Sequence, residues 1–207
     1  VIVWADETTQ FQGSINATGG LSLGNGGFVE VSGKESLFYR GNVDASAVFG
    51  EVGTVLLDPD NIIIASGSGQ PNDADIADSS ILFGDGAVGS TFTISEDSLE
   101  LLSGDADLVL QANNDIIVQN LADDQLTFQP GSAVTQGGTR SIAFSAGNRF
   151  VMDEGDLLHG VSRNITITAP VIQAGSIRTE GLLGPGSITL NADTSISVGA
   201  LRCASCD

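Results

Sequence analysis

Three groups of residues in this 207-residue chain have the types and spacing to do chemistry. Asp123 and Asp124 are adjacent acids, Asp73, Asp75 and Asp78 alternate as acids in a cation-binding loop do, and Cys203 and Cys206 form a C-x-x-C pair. Paired acids suit glycoside hydrolysis, where two carboxylates flank the scissile bond and one is held protonated. A polysaccharide-cleaving arrangement of that kind would add a Gly-His-Gly and an Arg-x-Lys. Here the only His lies in Leu158-His159-Gly160 and the only Lys is Lys34. Asp123-Asp124, followed by Gln125, therefore reads as a turn, and no catalytic residue is assigned.

The acids at Asp73, Asp75 and Asp78 lack the central Gly and terminal Glu of an EF-hand loop. Gly84-Asp85-Gly86 occurs once, whereas calcium-binding nonapeptides work in tandem. A solvated acidic loop is the expectation, with Asp73, Asp75 and Asp78 kept as calcium candidates. For the cysteines, zinc would need four ligands and a second pair is missing; a redox role would need a βαβ context that the chain lacks. A disulfide, the default for an exported chain, a bond between chains and a chance pair all stay open. No metal or cofactor is expected.

Composition narrows the elements that could carry such residues. The chain has 26 acids against 7 bases, a formal net charge of −19, and 41% apolar residues. That is too apolar for an acidic disordered chain, and long enough for one substantial core. Nucleic acid is excluded as a partner, because phosphate binding needs a basic stripe and seven scattered bases make none. Only 16% of residues are charged, and 27 are Gly. The polar surface must come from Asp, Asn, Ser, Thr, Gln and Gly, which disfavour long helices and favour turns. Apolar runs such as Ile62-Ile63-Ile64-Ala65 fall far short of the roughly 20 residues that span a bilayer.

Periodicity supplies the architecture. The segments starting at Leu108, Leu126, Ile142, Ile165 and Ile188 share one pattern: apolar, small or polar, apolar, polar, then Ala or Pro. Their starts differ by 18, 16, 23 and 23 residues. Each is a short strand whose inward face is marked by period two. A second strand comes next at Ile116-Ile117-Val118, Phe150-Val151-Met152, Val171-Ile172 and Ile196-Ser197-Val198. Upstream, Phe28 to Val31, Val43, Val55 to Leu57 and Ile62 to Ile64 obey the rule less regularly. Gly-Gly, Asn-Gly and Asp-Gly steps between them supply turns.

A β-sandwich would place strands every 8–12 residues joined by hairpins. Recurrence of two or three strands as a unit points instead to a parallel β-solenoid. Asn113, Asn114 and Asn148 fit its corners. Asp97 to Ser103 is the nearest thing to a helix. Trp4, Phe11, Phe28, Phe144 and Phe150 are expected as stacked core aromatics. The expectation is one domain over 1–207, with a surface loop or insertion near 66–90 and a short cysteine-containing tail at 199–207.

Residues Gly26-Gly27-Phe28-Val29-Glu30-Val31-Ser32-Gly33-Lys34-Glu35, Gly41-Asn42-Val43-Asp44-Ala45-Ser46 and Gly53-Thr54-Val55-Leu56-Leu57-Asp58-Pro59-Asp60-Asn61-Ile62 resemble the filamentous haemagglutinin family, the large exoproteins of two-partner secretion in cyanobacteria and proteobacteria. The preceding Trp4-Ala5-Asp6 and Phe11-Gln12-Gly13-Ser14-Ile15 fit the same block. The likeness is strong over residues 1 to 64 and generic beyond. It implies a right-handed parallel β-helix, here of about nine irregular coils and about 40–45 Å. It also implies export through an outer-membrane pore partner and an extracellular or cell-surface adhesin or fibre. Its partners would be a host-cell, neighbouring-cell or matrix surface; its repeats are scaffold, without catalytic residues. Some members end in a cysteine pair that helps keep the fibre on the cell, which would be the role of Cys203 and Cys206.

The family's amino-terminal secretion domain, with its Asn-Pro-Asn-Gly turn, is not seen; Asp58-Pro59-Asp60-Asn61 is a different sequence. The chain opens at Val1-Ile2-Val3-Trp4 without Met or a basic leader region, and is therefore expected as a piece of a longer precursor. Neither end reads as a cap. End-to-end self-association into a filament is the alternative function, and polysaccharide degradation the remote one.

Overall fold

In a computed structural model of the protein, the residues described are 1–33, 36–51, 53–58, 60–70, 91–102, 107–129, 140–181 and 186–205. Short alternating segments dominate them because small and β-branched residues suit pleated, half-buried strands and the Gly, Asn and Asp steps between them stop each strand early. Three opening coils carry two strands each: β1 (Ile2–Ala5) and β2 (Thr8–Asn16), β3 (Phe28–Gly33) and β4 (Ser36–Asp44), β5 (Thr54–Asp58) and β6 (Asn61–Ala65). Strand β7 (Thr91–Ser95) and the helix α1 (Glu96–Leu102) come next. The remaining coils carry three strands each: β8 (Asp107–Ala112), β9 (Asp115–Val118) and β10 (Gln125–Phe128); β11 (Arg140–Ala146), β12 (Arg149–Met152) and β13 (Leu157–Val161); β14 (Arg163–Thr168), β15 (Val171–Ala174) and β16 (Ser176–Gly181); β17 (Ile188–Asn191), β18 (Ser195–Val198) and β19 (Leu201–Ser205).

Corresponding strands pair in parallel. Sheet I runs β1-β3-β5-β8-β11-β14-β17, sheet II runs β18-β15-β12-β9-β6-β7, and sheet III runs β10-β13-β16-β19; β2 pairs with β4. From β8 onward the chain visits sheets I, II and III in strict rotation, the arrangement expected of a solenoid. Leu108, Ile142, Ile165 and Ile188 stand opposite one another in sheet I. Ile116, Phe150, Ile172 and Ile196 do so in sheet II, and Leu126, Leu158, Ile177 and Leu201 in sheet III. Apart from Ile196 and Leu201, these rows meet in one apolar core. The segment at Leu126 therefore belongs to sheet III, not to the row of the four segments that share its pattern. Alternation alone marks an inward face, but not which of three faces it is.

The stack differs from the sequence expectation in four further ways. Sheet I has seven strands among the described residues, not about nine, which makes the stack about 30 Å long at 4.8 Å per strand. The interval from Val55 to Leu108, partners in sheet I, is 53 residues, whereas that from Ile142 to Ile165 is 23. Extra chain thus goes into long coils, not additional ones. The expected insertion begins with a turn at Ser66–Gln70 and continues outside the described residues to 90; beyond it, β7 and α1 pack back on the stack. Residues 201–205, expected within a tail, form β19. There Leu201 stands opposite Ile177 and Cys203 opposite Thr179, while the Ile177 N–H donates to the Ala200 carbonyl (2.8 Å).

The aromatics divide. Phe144 and Phe150 are buried, packed edge to face with centroids 5.2 Å apart, and Phe128 meets Phe144 at 6.3 Å. Phe11 is partly buried against the core. Trp4 and Phe28 are 53% and 46% exposed. Their neighbours Val3 and Val29 take the inward positions, so period two turns both rings outward.

Asn113, Asn114 and Asn148 do stand at corners, between strands of sheets I and II. The Asn113 and Asn148 side-chain amides donate to Asp60 (3.0 Å) and Asp115 (2.7 Å) of the preceding coil. Gly147 completes the corner, since a Cβ there would run into the Asn113 carbonyl.

Truncating a ring at the centre of this core removes large buried area and leaves a cavity. Phe150→Ala is expected to lower unfolding free energy by about 3–5 kcal/mol. Trp4→Ala should stay within about 0.5 kcal/mol. Urea denaturation monitored by circular dichroism distinguishes the two; equal losses would contradict the assignment of Trp4 to the outer face.

Candidate functional site

The densest grouping of ionisable side chains lies where the chain turns from sheet II to sheet III. After β9 the chain crosses Leu121 and turns at Asp123-Asp124. The Asp124 N–H donates to the Leu121 carbonyl (3.3 Å), Asp123 Oδ1 accepts the Gln125 N–H (3.1 Å), and Asp124 takes a φ of 59°. Acids with short side chains tolerate that left-handed conformation better than most residues. The expected turn is therefore present.

One coil further, Asp153-Glu154-Gly155-Asp156 makes the matching corner. Asp153 Oδ1 accepts the Gly155 N–H (2.9 Å), and the Asp156 carboxylate reaches back to accept the Leu121 N–H (3.2 and 3.4 Å). Gly175 stands at the next corner, where a Cβ would strike the carbonyls of Asp156 and Asp153. On the other side, Ser66 Oγ accepts the Ala122 N–H (2.8 Å) and Glu96 Oε1 accepts the Gly67 N–H (2.7 Å). Glu100, one helical turn along, accepts the Thr127 N–H of β10 (2.5 Å).

Burial raises the pKa of Glu96, Glu100 and Asp156 above the usual carboxylate range, because it disfavours the charged form. Their hydrogen bonds from Gly67, Thr127 and Leu121 oppose the shift, while neighbouring negative charges add to it. Asp123 acts on all three, Asp97 on both glutamates, and Asp153 and Asp124 on Asp156. Glu96 is 6% exposed and its Oε2 has no hydrogen-bond partner; Asp156 is 1% exposed. None of these three stood out in the sequence. An acid in a turn or a short helix carries no local mark of burial, which arises only when the next coil covers it.

Beside this corner lies an open groove of about 400 Å³ lined by Val118, Asn120, Val151, Met152, Asp153, Glu154 and Gln173. Its lining combines the carboxylates of Asp153 and Glu154 and the carboxamides of Asn120 and Gln173 with Val118, Val151 and Met152. His159 is elsewhere, in β13 opposite Arg178 of sheet III. Burial, and then the Arg178 charge, lower its pKa, and its Nε2 has no partner. Glu180 bridges Arg178 (3.1 Å) and Arg202 (3.5 Å).

The three sequence candidates are thus not brought together. Asp123 and Asp124 join the acidic corner, whereas Cys203 lies exposed as a free thiol in the last coil. Cys206, Lys34 and the calcium candidates Asp73, Asp75 and Asp78 lie outside the described residues. Among the described residues, no group of three His, Cys, Asp or Glu side chains is arranged to hold a metal ion, and no helix is long and apolar enough to cross a membrane.

A carboxyl whose pKa is raised on folding binds its proton more tightly in the folded state. Its stabilising contribution is complete below the unfolded pKa, about 4, and is lost as pH rises through the folded value. Asp156→Asn keeps an acceptor for the Leu121 N–H and removes the charge. The thermal midpoint of this variant at neutral pH should exceed that of the parent, with the gap closing near pH 4. A lower midpoint at neutral pH would show that the Asp156 charge is stabilising.

No protein-family model matches the chain, nor does any curated protein or any solved structure.

Proposed function

We propose that the chain is a structural and adhesive module of a secreted bacterial surface exoprotein of the filamentous haemagglutinin type: a right-handed parallel β-helix, without catalysis, displayed outside the cell after export through an outer-membrane pore partner. The rotation through three parallel sheets carries this reading, because it spends the chain on scaffold and leaves side chains for outward faces. Right-handedness rests on the resemblance and on the strong preference of parallel crossovers for that hand. Contact surface is available on two stacked loops near the first coils. Leu21 and Leu23 on one loop are 86% and 81% exposed, and Val48 and Phe49 on the next are 53% and 52% exposed. The Gly19 N–H donates to the Ser46 carbonyl (2.7 Å) and so holds the two loops together. Adjacent exposed apolar tips of this kind mark interaction surfaces. The acidic surface keeps such a rod soluble and discourages lateral sticking.

A second reading is end-to-end stacking into a filament, in which another copy would extend the rows through Ile172 and Ile196 and through Ile177 and Leu201. Ile196 and Leu201 continue rows whose previous members, Ile172 and Ile177, are fully buried, yet they are 50% and 55% exposed. The two ends of the stack are unlike, however. Among the described residues, β17, β18 and β19 are the outer strands of sheets I, II and III at one end; at the other β1 and β7 are the outer strands of sheets I and II, whereas α1 packs against β10.

Beads coated with the chain should adhere to epithelial or bacterial cell layers, and Leu21→Ser with Phe49→Ser should cut retention about tenfold while leaving the circular dichroism unchanged. Absence of adhesion to every surface, or full retention by the variant, would sink the adhesive reading. For the filament, light scattering and electron microscopy of the chain should show rods longer than one subunit at high concentration, abolished by Leu201→Lys. A monodisperse monomer at every concentration removes that alternative.

A further inference from the structure

Sheet III begins at β10, an edge strand, and its free side is covered by a helix where a preceding strand would otherwise lie. The cover is slight. Helix α1 has seven residues, two of them acidic in the first turn and none basic in the last, too short to persist alone. It is held by fully buried Leu99 in the core, by Glu100 on the Thr127 N–H of the strand it covers, and by Glu96 on the Gly67 N–H. Asp156 secures the floor beneath by accepting the Leu121 N–H. Beyond Leu99, the attachments among the described residues are two carboxyl groups on backbone amides and a long bond from the Asp97 N–H to the Gly67 carbonyl (3.5 Å).

Among the described residues, the charges that act on Glu96, Glu100 and Asp156 through space are all negative. Asp97 comes from α1 itself, Asp123 and Asp124 from the corner before β10, and Asp153 and Asp156 from the corner before β13. Strands β7 and β10 and the Ser66–Gln70 turn carry no ionisable side chain. Like-charged groups at close range and partly out of water cannot all ionise without strain on the contacts between them. The buried Oε2 of Glu96 is where that strain is greatest, since no donor among the described residues offsets its charge.

We propose that α1 is a pH-responsive cover on the free edge of sheet III, seated while the carboxyls of Glu96, Glu100 and Asp156 are neutral and loosened once they ionise together. A neutral carboxyl still accepts the Gly67, Thr127 or Leu121 N–H through its carbonyl oxygen, so seating survives protonation while the repulsion disappears. Burial of all three groups, which raises their pKa, acts in the same direction. Loosening bares the β10 edge, whose amides are then free to pair with an added strand.

Amide hydrogen exchange of the full chain by NMR, expressed as protection factors to remove the intrinsic pH dependence of exchange, tests this. Between about pH 4 and about pH 8, protection at Thr127 and Gly67 should fall about tenfold or more, while Phe144 and Ile167 in sheet I keep theirs. Combining Glu96→Gln, Glu100→Gln and Asp156→Asn should abolish the fall. If that combination does not fold, Glu100→Gln alone should reduce it at Thr127. Constant protection at Thr127 overturns the proposal. So does an equal loss at Phe144, which would mean global loosening, and so does a pH dependence unchanged in the variants.

Discussion

Each coil must lie in register on its neighbour, because an inward residue is buried only when the coils above and below supply inward residues at the same place. The period of a strand is two, so a slip of one residue between coils would turn a whole apolar row to solvent. The rows through Ile142, Phe150 and Leu158 satisfy this over four coils each. The corners obey the same constraint. Neighbouring turns approach so closely that Gly147 and Gly175 have no room for a side chain, and polar corner residues hydrogen-bond to the coil before them, as Asn148 does to Asp115.

Stacking also explains where charge becomes strained. An acid on an isolated coil would be solvated, but in the stack Asp156 and Glu96, the first residue of α1, are both buried. The fold uses these carboxyls as acceptors for amides that no ladder reaches, and the like charges gathered at one corner are the consequence. Ion pairs are few among the described residues, and that between Arg149 and Asp115 (2.9 Å) is half exposed on the Arg side. A pair of that kind contributes at most about 1 kcal/mol. Cohesion rests on the apolar rows and on the backbone ladders between coils.

Departures from the rotation are confined to the earlier coils. There β2 and β4 make their own pair, and β7, later in the chain, lies against β6 on the side away from β9. Long coils permit this, since extra residues leave at a corner and return without disturbing the register of sheet I. The helix at β10 answers a problem of such a stack, an edge with unpaired backbone groups.

The strands of sheets I and II were legible in the sequence because their inward residues alternate visibly and recur at 23-residue intervals, as Ile142, Ile165 and Ile188 do. The Asn corners were legible for a similar local reason, the turn chemistry of Asn and Gly. For chemistry the sequence set only an expectation, that one His, one Lys and an acid pair in a turn carry no catalysis. Only the tertiary structure decided which face a strand joins, as for Leu126, and whether a large ring points inward, as Phe150 does and Trp4 does not. It alone made β19 a strand and brought Glu96, Glu100 and Asp156 to one corner from separate coils. Periodicity is a property of a few neighbouring residues, whereas burial, register between coils and the pKa of a carboxyl depend on residues 23 to more than 50 positions away.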